Sequence, residues 1–545
     1  MPAIFQCVEI GHVQSAEEEV REYLRGRWRV VSRLATWNGG ADRILTILQE
    51  AARKRHKEAL RLGDPHVTAD SALWTRIFER LVRWNAEFPY GEGSCSVKDA
   101  AQVLAMAEEF DVVERLQTAL GVGGFSVTKS SGGFSLAITQ DPSIEAADVY
   151  LELLTSPRRS SNHRVPEIDR WVMSLTPAKP VRGIPLLVRR AATRWARAEV
   201  EAYRKALPEG NLSSEFSLGG RLSLGVVVQH WASLVGMCHV LDTCAALTGH
   251  PGSTLAWLSR EEMAARLVES VEDGGDLSVA QEMIDLLTFR PGVSPLAAPL
   301  IPCGDRLIVS PALINAIGIE RLLLRTVAAN PSRFGKVSNQ LGKRASEWAA
   351  LFREIPNVLV AEGVKVKRPD GSIAGDLDVV AIDPSAGIGL CVEVKWPIDA
   401  HTLKESIKTS ELILSAARQL GGLRAVILTS NAAPVFPPKW PSFKEITWFW
   451  AVGTPQQLYA GKLPVLDLHM TSLRYLKQLP RADTLKQLID AVARPCWPER
   501  NTHFKVGCLR TQIGRVRFEQ EVIELGGPLR WRPQYPVDEN GTEPH

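Results

Sequence analysis

Through the first half of the chain, apolar residues recur mostly three and four positions apart, as in "AEEEVREYLRGRWRVVSRL", "DSALWTRIFERLVRWNAEF" and "VKDAAQVLAMAEEFDVVERLQTAL". That period belongs to amphipathic helices and predicts a mainly helical region over about residues 15–289. One stretch breaks it. "GGFSVTKSSGGFSLAITQDP", residues 123–142, alternates apolar and polar residues about Ser-Ser-Gly-Gly and predicts a β-hairpin. The polar, basic "TSPRRSSNHRVPEIDR" predicts an exposed loop or linker near residues 155–170. Around "FRPGVSPLAAPLIPCGDRLIVSP" proline and glycine accumulate and short apolar runs replace helical spacing. This predicts a domain boundary near residue 290 and a small hairpin turning at Gly304-Asp305.

Beyond that boundary the order is a helix (about 340–355), a strand (357–367), a turn at "RPDGS", strands at 375–382 and 388–395, a helix (400–420) starting near His401, and a strand (423–429). "KEITWFWAV" reads as one more strand. The C-terminal part mixes helix with the strand-like "FKVGCLRTQ" and "GRVRFEQEVIEL" and closes on a Pro- and Gly-rich tail. The expected fold is multidomain, α + α/β. It comprises a mainly helical region 1–165 with a hairpin near 123–142, a second helical region 166–290, an αβββαβ domain within 291–455, and a mixed extension 456–545. No fixed-period repeat is present.

Composition narrows the partners. The chain has 545 residues, 45% hydrophobic and 23% charged, which suits several packed cores. With 64 basic against 61 acidic residues the net charge is +3, so any nucleic-acid-binding surface must be local. The start, "MPAIFQCVEIGHVQSAEEEV", lacks the basic and apolar regions of a signal peptide, and no window reaches the roughly 18 uncharged apolar residues of a membrane span. The expected location is the cytoplasm. Eight cysteines without a C-x-x-C pair argue for reduced thiols, although Cys238, His239 and Cys244 cluster in "GMCHVLDTC" within an apolar helical pattern. In "VRRAATRWARAEVEAYRKAL", Arg190, Arg194, Arg197 and Arg204 fall near one helical face, with Trp195 and Tyr203 interleaved. That face is either a phosphate-tracking surface or an ordinary solvated one. "SPRRSSNHR" offers a flexible phosphate clamp.

The sharpest chemistry lies in "GDLDVVAIDPSAGIGLCVEVKWP", residues 375–397. Period-two alternation puts Asp376 and Asp378 on one face of their strand, and Glu393 and Lys395 on one face of the next. If the strands form a hairpin, the carboxylates of Asp378 and Glu393 meet. Two carboxylates in a half-dry place repel unless a cation joins them, and a hard divalent ion such as Mg²⁺ needs few protein carboxylates. Exposed cross-strand ion pairs would be the alternative, yet the flanking apolar residues make both strands look buried.

An acidic residue on one strand followed by Glu-x-Lys on the next resembles the PD-(D/E)xK nuclease superfamily, the restriction-endonuclease-like fold, over residues 338–430. Here the match is "GDLDVV" and then "VEVK", with fourteen residues between Asp378 and Glu393. The resemblance implies that Asp378 and Glu393 hold Mg²⁺ or Mn²⁺, that Lys395 is the catalytic lysine, and that Glu347 of "GKRASEWAALFRE" completes the ion's shell. It implies lesser roles for Asp376 and for Gln419 and Lys408 of the following helix, in contact with site or substrate. Metal-dependent hydrolysis of phosphodiester bonds in DNA is the expected activity. The helical region would supply recognition, oligomerisation or regulation, in antiviral defence or control of mobile elements in bacteria. Two other readings stand beside it: a non-catalytic nucleic-acid-binding scaffold that keeps the fold, and an effector that needs a partner or small-molecule trigger.

Overall fold

The computed structural model describes residues 18–536 except 20–21, 24, 62–70, 122–124, 131–132, 140, 156–164, 176–182, 207–212, 249–254, 272–274, 316–318, 320–321, 324, 327–344, 398–402, 456–466, 514–515 and 527–530. The "SPRRSSNHR" clamp, His401 and most of the C-terminal tail lie outside the described residues. In chain order, α1 (Arg43–Arg61), α2 (Ser71–Glu87) and α3 (Val97–Gly121) precede strands β1 (Phe125–Ser130) and β2 (Gly133–Ile138). Then come α4 (Pro142–Thr155), α5 (Pro166–Met173), α6 (Leu186–Ala206), α7 (Leu224–Thr248), β3 (Ala256–Ser259), α8 (Arg260–Ser270), α9 (Leu277–Leu287), β4 (Ile301–Cys303) and β5 (Arg306–Val309). The second half holds α10 (Ala345–Arg353), β6 (Leu359–Lys367), β7 (Ile373–Asp383), β8 (Ile388–Val394), α11 (Leu403–Thr429), β9 (Ala433–Pro434), β10 (Thr447–Thr454) and β11 (Leu468–Ser472). It closes on α12 (Leu473–Gln478), α13 (Leu485–Ala493), β12 (Phe504–Ile513) and β13 (Val516–Leu525). A mixed α and β chain is thus what the sequence folds into.

The described residues divide into two compact units, one made of residues 18–118 and 165–326, the other of residues 119–155 and 345–536. This differs from the expected boundaries in two places. The Gly304 turn is present, with φ +61, but β5 pairs with β3 as well as β4, so this hairpin belongs to the helical unit and the chain changes unit near 338 rather than 290. The 125–138 hairpin belongs to the other unit, because β2 runs parallel to β13 and pairs Phe134 with Phe518. Strand pairing at long sequence separation moves both hairpins, and no local pattern encodes it.

In the helical unit, stripes at helical spacing meet in one core that includes Ile44 and Leu48 of α1, Phe78 and Leu81 of α2, Trp231 of α7 and Met283 of α9. A second cluster joins α5, α6 and α7 through Ile168, Ala192 and Val240. There α6 and α7 approach closely: a Cβ on Gly236 would sit 2.8 Å from the Ala192 carbonyl carbon. Two helical stretches, Leu224–Leu247 and Lys408–Thr429, are apolar and long enough to cross a membrane by length and composition. The first is 72% buried in the protein, so packing accounts for its apolarity.

In the other unit, a six-stranded sheet has the order β11-β10-β8-β7-β6-β9. Strands β6, β7 and β8 are antiparallel neighbours, whereas β10 lies parallel to β8 and to β11. On one face, Val379, Ala381, Leu390 and Val392 pack with Trp348 and Phe352 of α10. On the other, Val380, Ile382 and Cys391 pack with Ile413, Ala416, Leu420 and Ile427 of α11. The strand expected at 423–429 is instead the last part of α11. Leu423 and Ile427 continue the apolar stripe of Ile413, Ala416 and Leu420 at helical spacing, and burying that stripe against the sheet outweighs the cost of Gly421 and Gly422. The "KEITWFWAV" segment supplies β10, the strand that follows the helix.

Candidate active site

The β7–β8 hairpin is closed by Asp383, whose Oδ1 accepts hydrogen bonds from the backbone N–H of Ser385 (3.0 Å) and Ala386 (3.1 Å), and by Gly387 at φ +61. Pairing runs from Asp383↔Ile388 to Val379↔Val392, and continuing that register sets Asp378 opposite Glu393. There the backbone ladder gives way to a side chain: the Val394 N–H donates to Asp378 Oδ2 at 2.8 Å. Strand β8 stays tied to β10, with Lys395 N–H donating to the Gly453 carbonyl at 2.9 Å.

Strict alternation does not survive across the site. Leu377 and Val380 are three apart, yet both pack in the core under α11. The break falls where β6 presents Gly363, at φ +61, opposite Asp378 in the register. A glycine at positive φ inside a strand changes which way the neighbouring side chains face. Asp376 accordingly goes its own way, with its Oδ2 3.0 Å from Lys365 Nζ, its cross-strand neighbour, and both side chains about half exposed.

Lys395 Nζ donates to Glu393 Oε1 at 2.6 Å and to Gln419 Oε1 at 3.3 Å, the latter from α11. Glu393 is 2% exposed. Burial pushes its carboxyl up, the Asp378 charge pushes the same way, and the Lys395 hydrogen bond pulls back. Asp378 is also raised, chiefly by burial, against the lowering pull of the Val394 N–H and of Lys395. The two carboxyls therefore resist being charged together. Among the described residues Asp378 Oδ1 and Glu393 Oε2 accept no hydrogen bond, and both are hard oxygen donors. A divalent cation of the Mg²⁺ type fits this donor set, since it takes few carboxylates and fills its shell with water.

The other expected contributors are placed differently. Glu347 lies on α10 beside Trp348, and its described partner is Lys477 of α12, whose Nζ is 3.9 Å from its Oε2. Among the described residues no three His, Cys, Asp or Glu side chains gather as metal donors, so the candidate ion set is the Asp378–Glu393 pair. Lys408 is exposed on α11 about three turns before Gln419. Arg190, Arg194 and Arg197 are exposed on α6, but Arg204 is buried with its Nη1 3.0 Å from Glu201 Oε1. That removes Arg204 from the expected exposed phosphate-tracking face: helical period keeps it on the side of Arg197, but there its side chain is covered and paired with Glu201. Trp195 is stacked on His239 with ring centroids 4.0 Å apart, so that ring is already engaged. Cys238 and Cys244 are buried thiols held protonated by desolvation.

The backbone groups of Val394 and Gly453, the positive φ of Gly363 and the Lys477 partner of Glu347 were not foreseen from sequence. Only Gly363 carried a local signal, as an isolated glycine inside a strand pattern. Compared with known proteins, the chain matches no family model, no curated protein and no solved structure.

Proposed function

We propose that this unit is a metal-dependent phosphodiesterase of the PD-(D/E)xK nuclease type acting on DNA. The observation that carries the reading is the buried Asp378–Glu393 carboxyl pair with the Lys395 ammonium bonded into it at the end of a hairpin. The helix, three strands, helix, strand order of α10, β6, β7, β8, α11 and β10 supports it, since it agrees with the order the resemblance implies. Asp378 and Glu393 would hold a divalent ion, which supplies Lewis acidity and neutralises charge building on the phosphate. Val394 N–H fixes the Asp378 carboxylate, leaving its second oxygen for the ion. Glu393 and Gln419 hold Lys395 so that its ammonium can donate to a phosphate oxygen and orient the attacking water. Hydrolysis adds that water to phosphorus as the ester P–O bond breaks.

The test incubates the full chain with plasmid, linear and single-stranded DNA in Mg²⁺ or Mn²⁺, beside Asp378→Asn and Lys395→Ala. Cleavage should appear in the native protein and fall at least about a hundredfold in each variant, as loss of an electrostatic stabiliser does. Cleavage unchanged in both variants, or absent with every substrate and either ion, sinks the proposal.

A further inference from the structure

Strand β10 reads "TWFWAVGT", and its glycine, Gly453, stands where the candidate site is fastened to the sheet. Glycine weakens a strand interior and often marks the close approach of another group. The φ of Gly453 is not positive, so conformational freedom does not call for glycine here. Space does: a Cβ at this position would lie 2.7 Å from Cζ2 and from Cη2 of Trp348, and 2.8 Å from Val392 Cγ1. Trp348 of α10 is fully buried, and its Nε1 has no hydrogen-bond partner among the described residues, so packing orients the ring. A rigid indole enclosed in a close-packed core does not move aside cheaply for a methyl group.

The consequence falls on Lys395. Strand β8 ends at Val394, the register partner of Gly453, and one step further the Lys395 N–H donates to the Gly453 carbonyl at 2.9 Å. Pro397 has no N–H with which to continue the ladder. The backbone from which Lys395 extends its ammonium to Glu393 and Gln419 is therefore set by Gly453, and Gly453 rests on the Trp348 ring. The resemblance gives α10 a direct role through Glu347. Packing gives it an indirect one through the next residue.

We infer that Trp348 and Gly453 are positioning residues for the proposed cleavage. The indole lies against a strand with no side chain between them and fixes the Gly453 carbonyl, hence the Lys395 ammonium, relative to the Asp378–Glu393 pair. This rests on the nuclease reading and extends it to two residues that touch neither ion nor substrate. A misplacement of about 1 Å at a reacting group can cost on the order of a hundredfold in rate, so a single methyl at residue 453 has a large effect to exert.

The test compares kcat and KM for DNA cleavage by the full chain in native form, Gly453→Ala, Trp348→Phe and the two combined, with urea midpoints alongside. Gly453→Ala should lower kcat at least about tenfold and leave KM within about threefold, since what moves is the ammonium. Trp348→Phe vacates the place of Cζ2 and Cη2 and should lower kcat as well. The double variant, whose added methyl fills that place, should exceed Trp348→Phe at least about threefold in kcat, a coupling that separate structural losses would not produce. That comparison keeps the inference testable if Gly453→Ala fails to fold. Gly389→Ala is the control: its Cβ would press on the Trp448 ring at least as closely, but Gly389 pairs with Ile382 at the turn end of the hairpin. It should lower the urea midpoint and leave kcat unchanged. The inference is overturned if native cleavage depends on Lys395 while Gly453→Ala keeps the native kcat, if the double variant is no faster than Trp348→Phe, or if Gly389→Ala loses as much kcat as Gly453→Ala. Cleavage absent from the native chain, or indifferent to Lys395→Ala, overturns the nuclease reading and this inference with it.

Discussion

Removing the charge of Asp378 relieves a repulsion that burial amplifies, and the sign of the effect on stability follows. Both Asp378 and Glu393 are raised in the folded protein, so the native state binds protons more tightly than the unfolded chain does. Their contribution is most favourable at acid pH and is lost as pH rises from the ordinary carboxylate range through their raised values. In chelator, urea midpoints of the native protein should therefore fall over that window, and Asp378→Asn should flatten the fall and be the more stable form at neutral pH. Added Mg²⁺ should restore the native protein at neutral pH and leave the variant unmoved. Equal pH slopes for both proteins would contradict the placement of a like-charged pair. Asp378, Glu393, Lys395 and Gln419 were legible in the sequence because hairpin register and one helix bring them together. Asp376 was not: period-two reasoning set it beside Asp378, whereas its ion pair is with Lys365, its direct cross-strand neighbour on β6.

The elements repeat that lesson on a longer stretch. The double glycine after Leu420 looked like a helix end followed by the strand "LRAVILT", yet the helix runs to Thr429 because its stripe is buried against β7, β8 and β10. Gly422 lies in this helix with open space where a Cβ would go. Gly422→Ala should then stabilise the protein by about 0.5–1 kcal/mol, as alanine does in a helix interior. A destabilised variant in chemical denaturation would favour a turn at that point. Helices α6, α7 and α8 make the converse case: their helical character was legible, but no single helix reveals that Arg189 and Arg266 line one pocket.

The whole chain is assembled discontinuously. Tyr150 of α4 is fully buried in the core shared with Trp348 and Leu488, and its hydroxyl donates to the His503 carbonyl at 2.6 Å. Tyr150→Ala should destabilise the unit containing the candidate active site by about 3–5 kcal/mol, the usual range for a large aromatic lost from a core. Residues 339–545 expressed without 119–156 should fail to give a cooperative unfolding transition. A cooperative fragment, or a loss below about 1 kcal/mol, would show that α4 is dispensable.

What the sequence determined by itself was local: helical and strand periods, the two hairpin turns, the apolar strands of the α/β sheet and the acidic-then-Glu-x-Lys order within them. These depend on contacts within a few residues, which a linear pattern records. Tertiary structure alone decided that the 125–138 hairpin joins β13, that the 301–309 hairpin joins β3, that Glu347 meets Lys477, and that Arg189 and Arg266 line one pocket. Each of these joins groups far apart along the chain, and their free energy comes from burial and charge in a shared environment that no one segment contains.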